Sequence, residues 1–100
     1  LIALSLSTPV ITSHSLKVKI INRLGLHARP AMTFVDVAMT FACEITVTKG
    51  DTTVNGKSIM EMMMLAAGQG SELEILATGC DAEKACTALH AVVAGGFDEE

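Results

Sequence analysis

The run Arg23-Leu24-Gly25-Leu26-His27-Ala28-Arg29-Pro30 sets a histidine and an arginine close together between a glycine and a proline. An extended segment gives way to a helix at this point. The first N–H groups of a helix have no internal partners and point at whatever lies before them. Together with the helix dipole they make an anion site. Ala28 and Arg29 can donate such an N–H, whereas Pro30 cannot. The Arg29 guanidinium adds a planar fork suited to phosphate oxygens. Gly25 permits a backbone turn that lifts His27 clear of the surface. The chemistry within reach is to hold a phosphoryl group on an imidazole: a neutral ring nitrogen attacks, and the N–H groups and guanidinium offset the incoming charge. The plainer alternative is a loop histidine that merely begins a helix.

A second run, Asn55-Gly56-Lys57-Ser58-Ile59-Met60, carries a hydroxyl at another helix start. Ser58 suits the N-cap, and Glu61 three residues later completes a capping box. Read from the residues alone, Ser58 is a cap. Met62, Met63 and Met64 run consecutively, and a helix cannot bury all three in one direction. At least one is therefore expected at the surface.

The elements around these runs follow from hydrophobic period. Lys17 to Ile21 alternates as a strand with one buried face. Behind Pro30, residues Ala31, Phe34, Val35, Ala38 and Met39 form a helical stripe that ends near Thr40. Cys43 to Thr48 alternates again, Lys49-Gly50-Asp51 turns the chain, and Thr52 to Val54 returns it as a hairpin partner. Ile59 to Leu65 is a short helix broken by Gly68-Gln69-Gly70. Glu72 to Ala77 is a fourth strand. Asp81 is expected to cap a last helix with the stripe Ala82, Ala85, Cys86, Leu89, Val92 and Val93, stopped by Gly95-Gly96.

The order is β-α-β-β-α-β-α. It predicts an α+β, open-faced sandwich: a four-stranded antiparallel sheet covered on one face by three helices. Residues 16–100 make one domain. Residues 1–15, rich in Ser and Thr, are expected to be a flexible N-terminal tail or an expression remnant.

Composition removes several function classes. There is no Trp or Tyr and there are three Phe among 100 residues, so bases would find little to stack on. Residues 1–60 carry six basic and three acidic side chains, against one and eight in residues 61–100. The first part suits a phosphate-handling face, but its few positives make no nucleic-acid footprint. No apolar run approaches the ~20 residues of a membrane span. Cys43, Cys80 and Cys86 are odd in number and lack a C-x-x-C spacing, so free thiols packed as small hydrophobes are expected in a reducing cytosol. Cys43, Cys80, Cys86 and His90 fit no common metal site. His14 and His90 read as ordinary surface residues. No second base or carboxylate stands beside His27 in sequence, which weakens an independent hydrolase.

With those residues in place, the chain resembles the HPr-type phosphocarriers of the bacterial phosphotransferase system over roughly residues 16–98. Leu26-His27-Ala28-Arg29-Pro30-Ala31 is similar to the family's active-site signature, and Asn55-Gly56-Lys57-Ser58-Ile59-Met60 to its regulatory-serine signature. The resemblance implies a cytoplasmic carrier and not an enzyme, working without cofactor or metal. His27 would accept a phosphoryl group on Nδ1 from an Enzyme I charged by phosphoenolpyruvate and pass it to an Enzyme IIA-type protein. Arg29 would contact the phosphate, with the Ala28 and Arg29 backbone donating to it. Ser58 would be modified by HPr kinase/phosphorylase, and Ile59, Met60 and Met63 would dock partners. A monomer suits a carrier that presents one face to several enzymes. A phosphate on Ser58 would meet the N–H donors of its helix and add roughly two negative charges to that face.

Two departures bear on the branch. Asp36, Met39 and Glu61 stand in regions where sugar-transport members often carry lysines, and Gly95-Gly96-Phe97-Asp98-Glu99-Glu100 resembles the ending of nitrogen-branch relatives. A regulatory phosphorelay is as consistent with these as sugar uptake. The alternative within the family is a non-relay interaction protein switched only by phosphorylation of Ser58; His27 and Arg29 together argue against it.

Overall fold

The computed structural model describes residues 12–99. Its elements are β1 (Ser13–Lys19), α1 (Ala28–Ala38), β2 (Glu44–Lys49), β3 (Thr52–Asn55), α2 (Ile59–Met64), β4 (Glu72–Thr78) and α3 (Ala82–Ala94), followed by a 3-10 turn, Gly96–Asp98. The β-α-β-β-α-β-α order is the expected one. The four strands form one antiparallel sheet in the order β1-β4-β2-β3.

Alternation decides which face is covered. Val18 and Ile20, then Ile45 and Val47, Val54, and Leu73, Ile75 and Ala77 all point inward and are buried. Ala31, Phe34, Val35 and Ala38 of α1 close over them, as do Ala82, Ala85, Cys86, Leu89 and Val93 of α3. Met62 joins that core from α2 and is fully buried. The opposite face is polar, with Lys17 opposite Glu74 and Lys19 opposite Glu72 in the β1–β4 register. Such cross-strand charge pairs suit a solvated surface. Leu76 is the large apolar residue that this face leaves exposed.

Four local expectations change. β1 starts at Ser13, so Ser13–Ser15 belong to the sheet and not to a tail; the expected segment 1–11 lies outside the described residues. These three residues carry no core-facing apolar side chain, but their backbone pairs with Leu76 to Thr78. Asp81 occupies the N-cap position of α3 without capping it. Its carboxylate instead accepts from the Ala42 and Cys43 N–H groups at 2.8 and 2.9 Å, tying α3 to the entry of β2. Those bonds hold the Asp81 carboxyl below its usual value, the Ala42 N–H contributing most. Half of the capping box is missing: Ser58 Oγ accepts from the Glu61 N–H at 3.2 Å, but Glu61 reaches back to the Asn55 N–H at 2.9 Å. Finally, Cys43 and Cys86 are packed as small hydrophobes while Cys80 is exposed.

No helix among the described residues is long and apolar enough to cross a membrane.

Candidate functional site

His27 is the N-cap residue of α1, with an extended backbone (φ −81, ψ −170) and no side-chain capping bond. Its carbonyl takes the first helical bond, from the Ala31 N–H at 3.0 Å. The ring is therefore not spent on the cap. It stands beside the orphan N–H groups of the first turn, and Pro30 fills a helix position where no N–H is needed.

Two interactions shape the approach to His27. Gly25 has φ +68, and the Leu26 N–H donates to the Ala67 carbonyl at 2.8 Å. The loop that presents His27 is thereby fastened to the segment leaving α2. Before it, Asn22 is buried; its side-chain amide donates to the Gly25 carbonyl at 2.8 Å and closes the turn.

The side chain of His27 is 36% exposed, and its Nε2 lies 3.0 Å from Oε1 of Glu99. Asn22 Nδ2 donates to the same Oε1 at 3.1 Å. The hydrogen bond from His27 is the chief cause that holds the Glu99 carboxyl below its usual value; Asn22 and, at longer range, Arg29 act in the same direction. Among the described residues, Nδ1 has no hydrogen-bond partner. An open recess of ≈ 440 Å³ lies at the ring, lined by Arg23, Leu24, His27, Arg29, Asp98 and Glu99. Two guanidinium-bearing side chains thus border the histidine, where sequence reasoning named Arg29 alone. Ala28 and Arg29 are both exposed, so the turn they begin is open to solvent.

Glu99 and Asn22 were not foreseen as part of the site. Glu99 lies 72 positions from His27, and no spacing rule links them. The nearest signal was Asn22 itself, a polar residue three before Gly25, which could have been read as a turn-closing side chain.

The second predicted site lies at α2. Ser58 is the N-cap of that helix. Ile59, Met60 and Met63 are exposed, at 37%, 79% and 44%. Met64 is exposed as well, at 71%, so the methionine run divides into one core residue and two surface ones. Lys49 Nζ donates to the Leu65 carbonyl at 3.1 Å, at the negative end of α2. His14 and His90 are both exposed, on β1 and α3. Among the described residues, no group of three or more His, Cys, Asp or Glu side chains is placed to hold a metal ion.

This arrangement has known counterparts. The family model described as "PTS HPr component phosphorylation site" matches residues 14–95. Phosphocarrier protein HPr of Neisseria meningitidis serogroup A is 48% identical over 82 residues, covering 82% of this chain and 92% of that protein. Phosphocarrier protein NPr of Proteus mirabilis is 41% identical over 85 residues, covering 84% and 94%. The crystal structure of HPr-C-His from Thermoanaerobacter tengcongensis superposes with a TM-score of 0.84 at 41% identity, over 87% of this chain and 98% of that one. Sequence and fold agree over nearly the same span, and by them the chain belongs to the HPr family, the phosphocarriers of the phosphotransferase system.

Proposed function

We propose that His27 is the residue that carries the phosphoryl group, receiving it from a phosphoenolpyruvate-charged Enzyme I and delivering it to an Enzyme IIA-type protein. The observation that carries this reading is an Nδ1 at the N-terminus of α1 that has no hydrogen-bond partner among the described residues, in a recess bordered by Arg23 and Arg29. Transfer replaces one bond to phosphorus by another. The Nδ1 lone pair forms the new N–P bond while the bond to the donor breaks, and its electron pair returns to the donor. The free N–H groups of Ala28 and Arg29 and the Arg29 guanidinium then face the phosphoryl oxygens. Arg23 adds a second cation at the rim. A carrier needs this stabilisation to be moderate, because the group must leave as readily as it arrives.

Partners dock over the apolar surface of α2. Ile59, Met60 and Met63 are exposed there, and flexible thioethers adapt to more than one partner. The Ala67 bond to Leu26 joins the end of that helix to the His27 loop, which supports a single contact surface for docking and transfer. Ser58, at the start of the same helix, is the regulatory site for HPr kinase/phosphorylase. A phosphate there would add negative charge beside the docking residues.

The test is phosphorus NMR of the protein incubated with phosphoenolpyruvate, magnesium and Enzyme I. An acid-labile phosphohistidine resonance is expected, and it disappears in His27→Ala. A resonance that survives in His27→Ala would place the phosphoryl group elsewhere and sink the assignment.

A further inference from the structure

We propose that Glu99 is a positioning residue for phosphoryl transfer: it holds the His27 imidazole in the tautomer with the proton on Nε2, and it offsets the positive charge that the ring acquires as Nδ1 bonds to phosphorus. The proposal rests on the reading of His27 as the phosphoryl carrier.

The geometry is specific. Glu99 Oε1 is 3.0 Å from His27 Nε2 and 3.1 Å from Asn22 Nδ2. An ionised carboxylate can only accept hydrogen bonds, so Nε2 must be the donor. In a neutral imidazole the other nitrogen then carries the lone pair. Glu99 thus leaves the attacking pair on Nδ1, the nitrogen without a partner among the described residues. The low position of the Glu99 carboxyl, set first by His27 and then by Asn22, agrees with an ionised acceptor.

Asn22 fixes Glu99 in turn. Its Nδ2 faces two oxygens, Gly25 O at 2.8 Å and Glu99 Oε1, so its amide cannot be reversed without setting oxygen against oxygen. Its Oδ1 is buried and, among the described residues, has no hydrogen-bond partner. A buried amide that leaves its acceptor unsatisfied is uncommon, and here the two bonds from its nitrogen are what it gains. The backbone contributes as well. Gly96, Phe97 and Asp98 all have positive φ (69, 57 and 59), and two of these are not glycine. The Phe97 side chain is buried in the core, and the Glu99 N–H donates to the Gly96 carbonyl at 2.9 Å. Left-handed residues in sequence persist where the surroundings over-determine them. This turn carries Glu99 back to the ring.

The chemistry needs no proton to move. Nδ1 forms its bond to phosphorus, the donor's bond to phosphorus breaks with its electron pair, and the Nε2 proton stays in place. The ring becomes an imidazolium hydrogen-bonded to Glu99. On delivery, the N–P pair returns to Nδ1 and the neutral tautomer is restored. A carboxylate does the same service for the histidine of serine hydrolases, setting its tautomer and stabilising its cation.

Nitrogen NMR of protein labelled at the histidine ring nitrogens, in the absence of any enzyme, reads the tautomer directly. It is paired with phosphorylation rates under phosphoenolpyruvate and Enzyme I. Wild type is expected to show a pyrrole-like Nε2 and a pyridine-like Nδ1 at neutral ring charge. Glu99→Ala drifts to a tautomer mixture and loses roughly tenfold or more in rate, the scale of one charge-assisted hydrogen bond. Glu99→Gln, whose amide oxygen still accepts, keeps the Nε2–H signature and falls between the two in rate. That graded rescue separates positioning from a mere loss of fold. An unchanged tautomer and an unchanged rate in Glu99→Ala would overturn the proposal. If wild type takes up no phosphoryl group, the carrier reading fails, while the tautomer spectra still decide whether Glu99 sets the ring.

Discussion

Gly25 sits so close to the chain leaving α2 that a Cβ on it would stand 2.5 Å from the Ala67 carbonyl oxygen, the same oxygen that accepts from the Leu26 N–H at 2.8 Å. Its φ of +68 is a second reason for glycine. The two requirements act together, because the left-handed turn is what brings the Leu26 N–H to that acceptor. Gly25→Ala is expected to cost about 1–3 kcal/mol from backbone strain, with the steric clash in addition. It should also swing His27 out of register with α1. Denaturant unfolding with a parallel phosphorylation assay checks both. A variant of wild-type stability with full phosphoryl acceptance would mean that the Ala67 contact has no part in presenting the histidine.

Ser58 gives a helix cap whose removal is separable from its modification. Its Oγ accepts from the Glu61 N–H at 3.2 Å. Ser58→Ala should destabilise by about 1 kcal/mol, which in a domain of this size is roughly 4–8 °C in melting temperature. Ser58→Asp keeps a capping oxygen and adds one charge, so it should melt near wild type. In the proposed regulation that charge weakens partner docking. Calorimetry of both variants, with Enzyme I binding measured on the same samples, distinguishes cap from switch.

Much of this was legible in the chain because it is local. The period-2 and period-3.6 patterns gave the element order, and the Ser58 cap was visible because cap and recipient are three residues apart. The sites that escaped are those closed by long-range side chains. Asp81 looks like a cap in sequence, yet the loop entering β2 comes close enough to offer two N–H groups, and those bonds win over one helix N–H. Glu61 likewise turns to Asn55 because the β3–α2 connection brings that N–H within 2.9 Å. Glu99 meets His27 only because a left-handed turn follows α3, and nothing in Phe97 marks it for positive φ.

Asp81 makes stability depend on pH. Its carboxyl is held below the ordinary 3.8, chiefly by the Ala42 N–H, so the folded state favours the ionised form. The stabilisation is complete above that ordinary value and is lost as pH falls through the lowered folded value. Glu99, held below 4.5 chiefly by its bond from His27, acts in the same direction. Urea midpoints measured from pH 6 downward should therefore fall more steeply in wild type than in Asp81→Asn. Curves of equal slope would show that the two N–H bonds do not distinguish the charged from the neutral carboxyl.

The three thiols should react in a fixed order. Cys80 is exposed, while Cys43 and Cys86 are buried. Burial is the first cause that pushes the Cys43 thiol up to about 11, reinforced by Asp81, and burial raises Cys86 too. Thiolate is the reactive form, so both inner cysteines are protected twice, by access and by protonation. Mass spectrometry after brief maleimide treatment at neutral pH should find a single adduct, on Cys80, and three after unfolding. Rapid labelling of Cys43 in the folded protein would mean that the β2–α3 corner opens far more readily than its Asp81 bonds suggest.

Ala66 is the residue at which the fold accepts a local penalty without an evident return. It has φ +49 just past α2, the position where helices usually place glycine, and its side chain is exposed. A left-handed conformation costs a non-glycine residue roughly 1–2 kcal/mol. Glycine would remove that cost but bring about 0.5–1 kcal/mol of extra chain entropy to be lost on folding. The difference favours Ala66→Gly by up to about 1.5 kcal/mol, since no buried contact is given up. Lys49, whose ammonium donates to the Leu65 carbonyl at 3.1 Å, holds the same helix end and should keep it in place in the variant. A rise in the denaturant midpoint with an unchanged slope is the expected result. A fall would mean that the Ala66 methyl restrains the chain between α2 and Ala67, and hence the loop that carries His27.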